Sequence, residues 1–147
     1  TMNANLETLS PTTSDRQWAV AAPIAALAAA ALTSWFAGIA GALAALAVWL
    51  LVRDKSVFAS AHAKEAVNFN LSMFLYACAA GVIGIVLVGA TVLTLGLGAL
   101  VTIPAGIVLL CVIAAIALMW LVCSIIAAAR AWDGKPYRYP LTIRLLG

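Results

Sequence analysis

Two stretches of this chain carry no formal charge: residues 17–52, 36 positions, and residues 66–129, 64 positions. A helix needs about 20 apolar residues to cross the ~30 Å hydrocarbon layer of a bilayer. The first stretch has room for one long crossing or two short ones, and the second for two long ones. Composition agrees, with 66% hydrophobic and 9% charged residues, against about 45–50% and about 25% in a soluble domain. One core cannot hide that much apolar surface from water. An ordinary soluble enzyme is excluded, and an all-α, polytopic membrane protein is expected.

Turn signals divide the stretches. Thr33, Ser34, Gly38 and Gly41 interrupt the first, which as one straight helix would run about 54 Å. A tight hairpin near 33–37 splits it into spans at about 18–33 and 37–52, with Pro23 acceptable in the first turns of the first span. In the second stretch, Gly89, Gly96 and Gly98 with Thr91, Thr94 and Thr102 mark a break before Pro104. This predicts spans at about 62–92 and 104–131, ended by Gly134 and Pro136. The expected organisation is a flexible cytosolic tail over 1–17, a four-helix transmembrane domain over 18–132, and a cytosolic or interfacial segment over 133–147. The polar N-terminal run lacks a basic region followed by a cleavable apolar core, which argues against a signal peptide. Met2 reads as the natural start.

Charge bias orients the spans. With four of them, the tail, the 53–64 connection and the C-terminus share one side, which holds all eight Lys/Arg, while the turns near 33–37 and 93–103 hold none. The positive-inside tendency then places both termini in the cytoplasm of a bacterial inner membrane. The formal charge of +3 needs no nucleic acid, because the basic residues sit at span ends with no interleaved aromatics. Trp18, Trp35, Trp49 and Trp132 fall near span boundaries, as amphipathic rings do. Trp120 falls mid-span and is expected against a neighbouring helix. Gly38 with Ala42, and Gly81 with Gly84, permit close helix approach. Cys78, Cys111 and Cys123 lie in apolar segments without a CxxC pair and read as small buried hydrophobes.

Two polar islands carry the chemistry. In RDKSVFASAHAKEAVNFNLSMFLY, residues 53–76, the side chains of His62, Glu65, Asn68, Ser72 and Tyr76 share an arc of about 120° at 100° per residue. Asn70 points roughly the other way. The stripe descends from the charged rim to about mid-membrane, where lipid offers no hydrogen-bond partners. It fits a staple to the second or fourth span, a docking surface for a partner, or a hydrophilic notch for a substrate. Catalysis and metal binding fit poorly. His62 is the only His, metal sites require three or four ligands, and Ser72 lies about 15 Å along the helix from His62. No cofactor, metal or catalytic residue is expected.

The second island, DGKPYRYPLTIRLLG, follows the last span. Pro136 and Pro140 bracket Tyr137, Arg138 and Tyr139, a group suited to lipid headgroups. Leu141, Ile143 and Leu145 alternate with Thr142 and Arg144, as in a short extended piece. The segment is expected on the membrane surface or against the 53–64 connection. Arg53, Lys55, Lys64, Tyr137, Arg138, Tyr139 and Arg144 are the rim candidates.

Both islands resemble one family. HAKEAVNF at 62–69, preceded by RDKS at 53–56, is similar to the HAKEALNF motif of a widespread bacterial family of small membrane proteins of unknown function. YRYPLTIR at 137–144 is similar to its closing motif. The family is related to the chloroplast inner-envelope protein-import translocon component of about twenty kilodaltons. The resemblance implies a four-helix membrane protein and points to His62, Glu65, Asn68, Phe69, Tyr137, Arg138, Tyr139, Pro140 and Arg144. The chain departs from the family in its first hairpin, where WAVAAPIAAL and ALAVWLL lack the family's His-Leu pair and a Pro, and at Asn70, where Gln is common. The expectation is a non-enzymatic membrane subunit or assembly factor that meets a membrane-protein partner, or a second copy, through its cytosolic rim. The alternative, implied by the plastid relative, is a transport or translocation component that uses the stripe at Asn68, Ser72 and Tyr76 as a polar path.

Overall fold

The computed structural model of the chain describes residues 10–32 and 37–147. Among the described residues there are four helices: α1 (Thr13–Leu32), α2 (Ala37–Val52), α3 (Val57–Leu93) and α4 (Ala99–Trp132). Residues 33–36 of the turn expected near 33–37, Trp35 among them, lie outside the described residues. Helix α1 packs against each of the other three, and α3 also packs against α2 and α4.

Helices α1 and α3 begin earlier than expected, because capping residues set their starts. Thr12 and Asp15 form a reciprocal box: the Asp15 amide donates to Thr12 Oγ1 at 3.1 Å, and the Thr12 amide donates to Asp15 Oδ2 at 3.0 Å. That box starts α1 at Thr13, inside the stretch expected to be a free tail. Pro23 therefore sits eleven residues into α1, fully buried, rather than in its first turns. Ser56 caps α3 by accepting the Ala59 amide at 3.1 Å, so 57–61 is helical and the link from α2 shrinks to residues 53–56. Helix α4 starts at Ala99 and carries Pro104 inside it, where the expectation put Pro104 at the start.

Both long helices end in the same motif. After α4, Gly134 (φ 73°) sends its amide to the Ala131 carbonyl at 3.1 Å, and Lys135 reaches the Arg130 carbonyl at 2.9 Å. These are the paired bonds of a Schellman ending, and they support the expected stop at Gly134. After α3, Leu95 occupies the left-handed position (φ 54°), with Gly96 donating to the Thr91 carbonyl at 2.9 Å.

The helices differ in length: 20 and 16 residues for α1 and α2, but 37 and 34 for α3 and α4. Only α3 and α4, among the described residues, are long and apolar enough to cross a membrane by length and composition. The core gathers at the charged end. Ala19, Ala22 and Ala26 of α1, and Ala45, Val48 and Val52 of α2, close on Ala59, Ala63, Ala66 and Phe69 of α3 and Ala127 and Ala131 of α4. Alanine faces let the helices approach closely. The far halves of α3 and α4 have only each other, and Ile85, Val86, Leu93, Leu100 and Val101 stand exposed, as on a lipid-facing surface. Cys78 and Cys111 are exposed there as well, against the expectation of burial, while Cys123 is buried.

The close approach also differs from expectation. A Cβ on Gly81 would meet nothing within 4 Å, and one on Gly84 would meet only Leu109 at 3.7 Å. The tight crossing is at Gly41, where a Cβ would fall 2.6 Å from Asn70 Oδ1. Asn70 is 1% exposed. Its Nδ2 donates to the Ala66 carbonyl at 2.9 Å, and its Oδ1 accepts the Trp120 indole N–H at 3.0 Å. This bond binds α3 to α4 beneath α2.

Candidate functional site

The two polar islands, some seventy residues apart in sequence, build one site. After the Gly134 turn the chain runs back along the stripe face of α3 as an irregular strap, residues 135–147. All five stripe side chains bind its backbone. His62 Nε2 donates to the Lys135 carbonyl at 2.9 Å. Glu65 Oε2 accepts the Tyr139 amide at 3.2 Å. Asn68 engages both groups of Leu146: Nδ2 donates to its carbonyl at 3.0 Å, and Oδ1 accepts its amide at 2.8 Å. Ser72 Oγ accepts the Ile143 amide at 2.8 Å, and the Tyr76 hydroxyl donates to the Leu141 carbonyl at 2.6 Å.

The order of these contacts describes a path. The strap travels along α3 from His62 to Tyr76, turns at Leu141 (φ 53°), and returns past Ser72 to Asn68. Main-chain groups that lipid could not satisfy are thereby taken up by α3. The alternation seen in the sequence is the outer face of this loop, with Leu141, Ile143 and Leu145 71%, 43% and 58% exposed. The stripe therefore holds the C-terminal segment rather than α2 or α4, and the strap covers the face on which an open polar path would have to run.

Side chains lock the root of the strap. Tyr139 is buried, stacked on Phe69 with ring centroids 4.3 Å apart, and Tyr137 meets it edge-on at 5.0 Å. Tyr139 is thus a packing residue and not a headgroup anchor. Arg144 forks onto Glu65, Nε to Oε1 at 3.1 Å and Nη2 to Oε2 at 3.2 Å, the bidentate geometry that gives such pairs their specificity. Its Nη1 also reaches the Thr142 carbonyl at 3.1 Å. Burial of the Tyr137 phenol, beside the Cys123 thiol, pushes its pKa up to about 12. Burial raises Tyr139 as well, reinforced by Tyr137 and Glu65. At the base of α1, burial opposes ionisation of Asp15. The Ser56 hydroxyl and the amide and hydroxyl of Thr12 outweigh it and hold the carboxyl below its ordinary value.

The remaining rim residues face outward. Arg53 lies over the Trp49 ring, 5.7 Å from its centroid, and pairs loosely with Asp54 at 3.6 Å. Lys55 and Arg138 are exposed, and Lys64 is half-buried. Asp15, Lys55, Ser56, Phe58, Gly134 and Pro136 border an open hollow of about 720 Å³ at the rim. His62 is buried against Phe58, with ring centroids 4.7 Å apart, and its Nε2 proton is committed to the strap. No group of three or more His, Cys, Asp or Glu that could hold a metal ion occurs among the described residues. Asn70, off the stripe face, is a structural centre that helical spacing alone does not single out. The signal lay in a mid-span Asn on one helix and a mid-span Trp on another, each needing a partner.

These features define a helical membrane protein with a charged rim and a strap clasped to its longest helix. The family model of the magnetosome magnetite crystal formation proteins (MamF/MmsF) matches residues 14–146. The chain belongs to that family. No curated protein and no solved structure matches it.

Proposed function

We propose that this chain is a non-enzymatic membrane subunit of the magnetosome that contributes to magnetite crystal formation by presenting its rim to a partner. The family supports the process, since its members are magnetosome magnetite crystal formation proteins. The observation that carries the partner reading is the convergence of both polar islands at one end of the bundle. There the strap root, the hollow beside Lys55 and Ser56, and the exposed Arg138 lie together. Both termini and this rim face the cytoplasm in our reading, as the positive-inside tendency directs.

The geometry separates two arginines that the sequence treats alike. Arg144 is engaged by Glu65, so reversing it would unseat the strap, whereas Arg138 is exposed and free to meet another protein. The test is affinity purification of the tagged protein from native membranes in mild detergent with quantitative mass spectrometry. The double variant Lys55→Glu, Arg138→Glu is expected to insert normally and to lose a stoichiometric partner that the unaltered chain retains. Undiminished partner recovery would overturn the rim reading. Recovery of the chain alone from unaltered membranes would replace it with a self-sufficient role.

A further inference from the structure

The helices reach different depths, and one contact fixes by how much. A Cβ on Gly41 would lie 2.6 Å from Asn70 Oδ1 and 3.5 Å from the Ala26 carbonyl, so Ala26, Gly41 and Asn70 stand at one level. Beyond it α2 has four residues left to Ala37 and α1 six to Leu32, about 6 and 9 Å. Helix α3 has 23 left to Leu93, about 35 Å. The α3–α4 hairpin therefore outruns α1 and α2 by roughly 25 Å.

The charges place the bilayer on this frame. Lys64 and Glu65, with Arg144 bound to Glu65, are the charged groups farthest along α3 from its rim end. From Glu65 to Leu93 is 28 residues, about 42 Å, which matches the ~40–45 Å of a bilayer with its headgroups. Glu65 then sits among the rim-side headgroups. Thr91, Thr94 and Thr102 sit among those opposite, where Thr94 Oγ1 also caps the Gly98 amide at 2.8 Å. On this placement α1 and α2 end within the rim-side leaflet. So does the turn of the strap at Leu141, whose inward groups α3 satisfies and whose outward side chains are apolar.

We propose that the protein is a membrane wedge: helices α1 and α2 and the strap enter only the rim-side leaflet, and the chain favours bilayers in which that leaflet is convex. Four helices and a strap occupy one leaflet, against two helices in the other. At about 10 Å per helix, the extra pair adds roughly 160 Å² of cross-section to one side. A flat bilayer must compress one leaflet around such a shape, whereas a curved one accommodates it. The ligand is the curved lipid surface itself, with anionic headgroups facing the Lys/Arg of the rim. This requires only the membrane location and not the partner reading of the rim.

Two measurements test it. The unaltered full-length chain, with a fluorophore on an N-terminal tag, is reconstituted into a mixed vesicle population of about 50 to 400 nm diameter containing anionic lipid. Single-vesicle fluorescence should show a several-fold rise in surface density toward the smallest vesicles. Protease access to the tag should show the rim-outward orientation enriched there. Density and orientation independent of diameter overturn the wedge. Insertion depth is read on a chain with Cys78, Cys111 and Cys123 replaced by Ala, carrying Ile39→Cys or Leu95→Cys. An impermeant maleimide should reach Leu95→Cys from the side opposite the rim and Ile39→Cys from neither side. Labelling of Ile39→Cys from the side opposite the rim would show that the hairpin crosses, and would overturn the half-depth insertion. The curvature measurement needs no substitution, so a variant that fails to fold leaves the test intact.

Discussion

Removing the Asn68 amide should free the returning arm of the strap while its root stays in place. Asn68 is 2% exposed and spends both ends of its side chain on one residue, giving a hydrogen bond to the Leu146 carbonyl at 3.0 Å and taking one from its amide at 2.8 Å. A hydrogen bond contributes a net of about 0.5–1.5 kcal/mol, and a polar group left buried without a partner costs about 1–3 kcal/mol. Asn68→Ala removes both bonds and strands both backbone groups of Leu146, which regain partners only when the arm lifts into water or headgroups. About 2 kcal/mol for the pair shifts the balance between docked and lifted arm by roughly 30-fold. Ile143 lies on the same arm, held by Ser72, whereas Tyr139 is held separately by Glu65 and the Phe69 stack. Hydrogen exchange of the amides in detergent micelles reads each site. Protection at Ile143 and Leu146 should fall by roughly 30-fold, and protection at Tyr139 should stay unchanged. Asn68→Asp should lose the same protection, because a carboxylate oxygen would face the Leu146 carbonyl. If exchange at Ile143 and Leu146 is unaltered, the stripe does not clasp the strap. If protection falls evenly through the helices too, Asn68 is a core residue and not a clasp.

Gly41→Ala would push against Asn70 Oδ1 from 2.6 Å and break its bond to Trp120. The expected cost is about 1–3 kcal/mol, read as a lowered midpoint in detergent with a shifted Trp emission. Leu95→Gly should do the opposite. Leu95 holds φ 54° and is 94% exposed, so glycine relieves left-handed strain worth about 1 kcal/mol at the loss of almost no packing. A lowered unfolding midpoint would refute that ending of α3. Alkali should release the strap root, because Tyr137 and Tyr139 keep their protons to higher pH in the folded chain than in the unfolded one. Their contribution is intact below about pH 10 and is lost as pH rises through about 12 for Tyr137. Tyrosinate absorbance followed together with exchange at the Tyr139 amide should show one coupled transition, and ionisation of both near pH 10 with the strap still docked would contradict it.

The stripe was legible because helical geometry is rigid. Spacings of three and four place His62, Glu65, Asn68, Ser72 and Tyr76 on one face whatever surrounds them, and the structure uses all five together. Its partner was not legible, because the partner is backbone. The N–H and C=O of Lys135, Tyr139, Leu141, Ile143 and Leu146 carry no side-chain pattern, and only the alternation of Leu141, Ile143 and Leu145 hinted at an extended piece with one apolar face. Tyr139 shows how composition misleads at a boundary. An aromatic ring between prolines beside Arg138 looks like a headgroup anchor, yet Phe69, itself inside the first island, offers a ring to stack on, and burial wins. The starts of α1 and α3 are readable in the sequence, since Thr12 with Asp15 and Ser56 are ordinary capping residues whose side chains settle local energetics before any apolar run begins.

Depth is the property least available from the sequence, for a physical reason. Hydropathy reports that a segment avoids water but not how far along its neighbour it sits. Register between packed helices is set instead by single contacts that only one residue type permits. Here the contact is Gly41 against Asn70: with no Cβ on Gly41, the buried amide can keep its bond to Trp120, and a larger side chain would press on that amide. Helices α1 and α2, being shorter, stop before the far ends of α3 and α4, and the bonds from the α3 stripe hold the strap on the same half of the molecule. The asymmetry between the two halves thus follows from helix length, 20 and 16 residues for α1 and α2 against 37 and 34 for α3 and α4, with Gly41 against Asn70 as the close contact at which the short pair meets the long one.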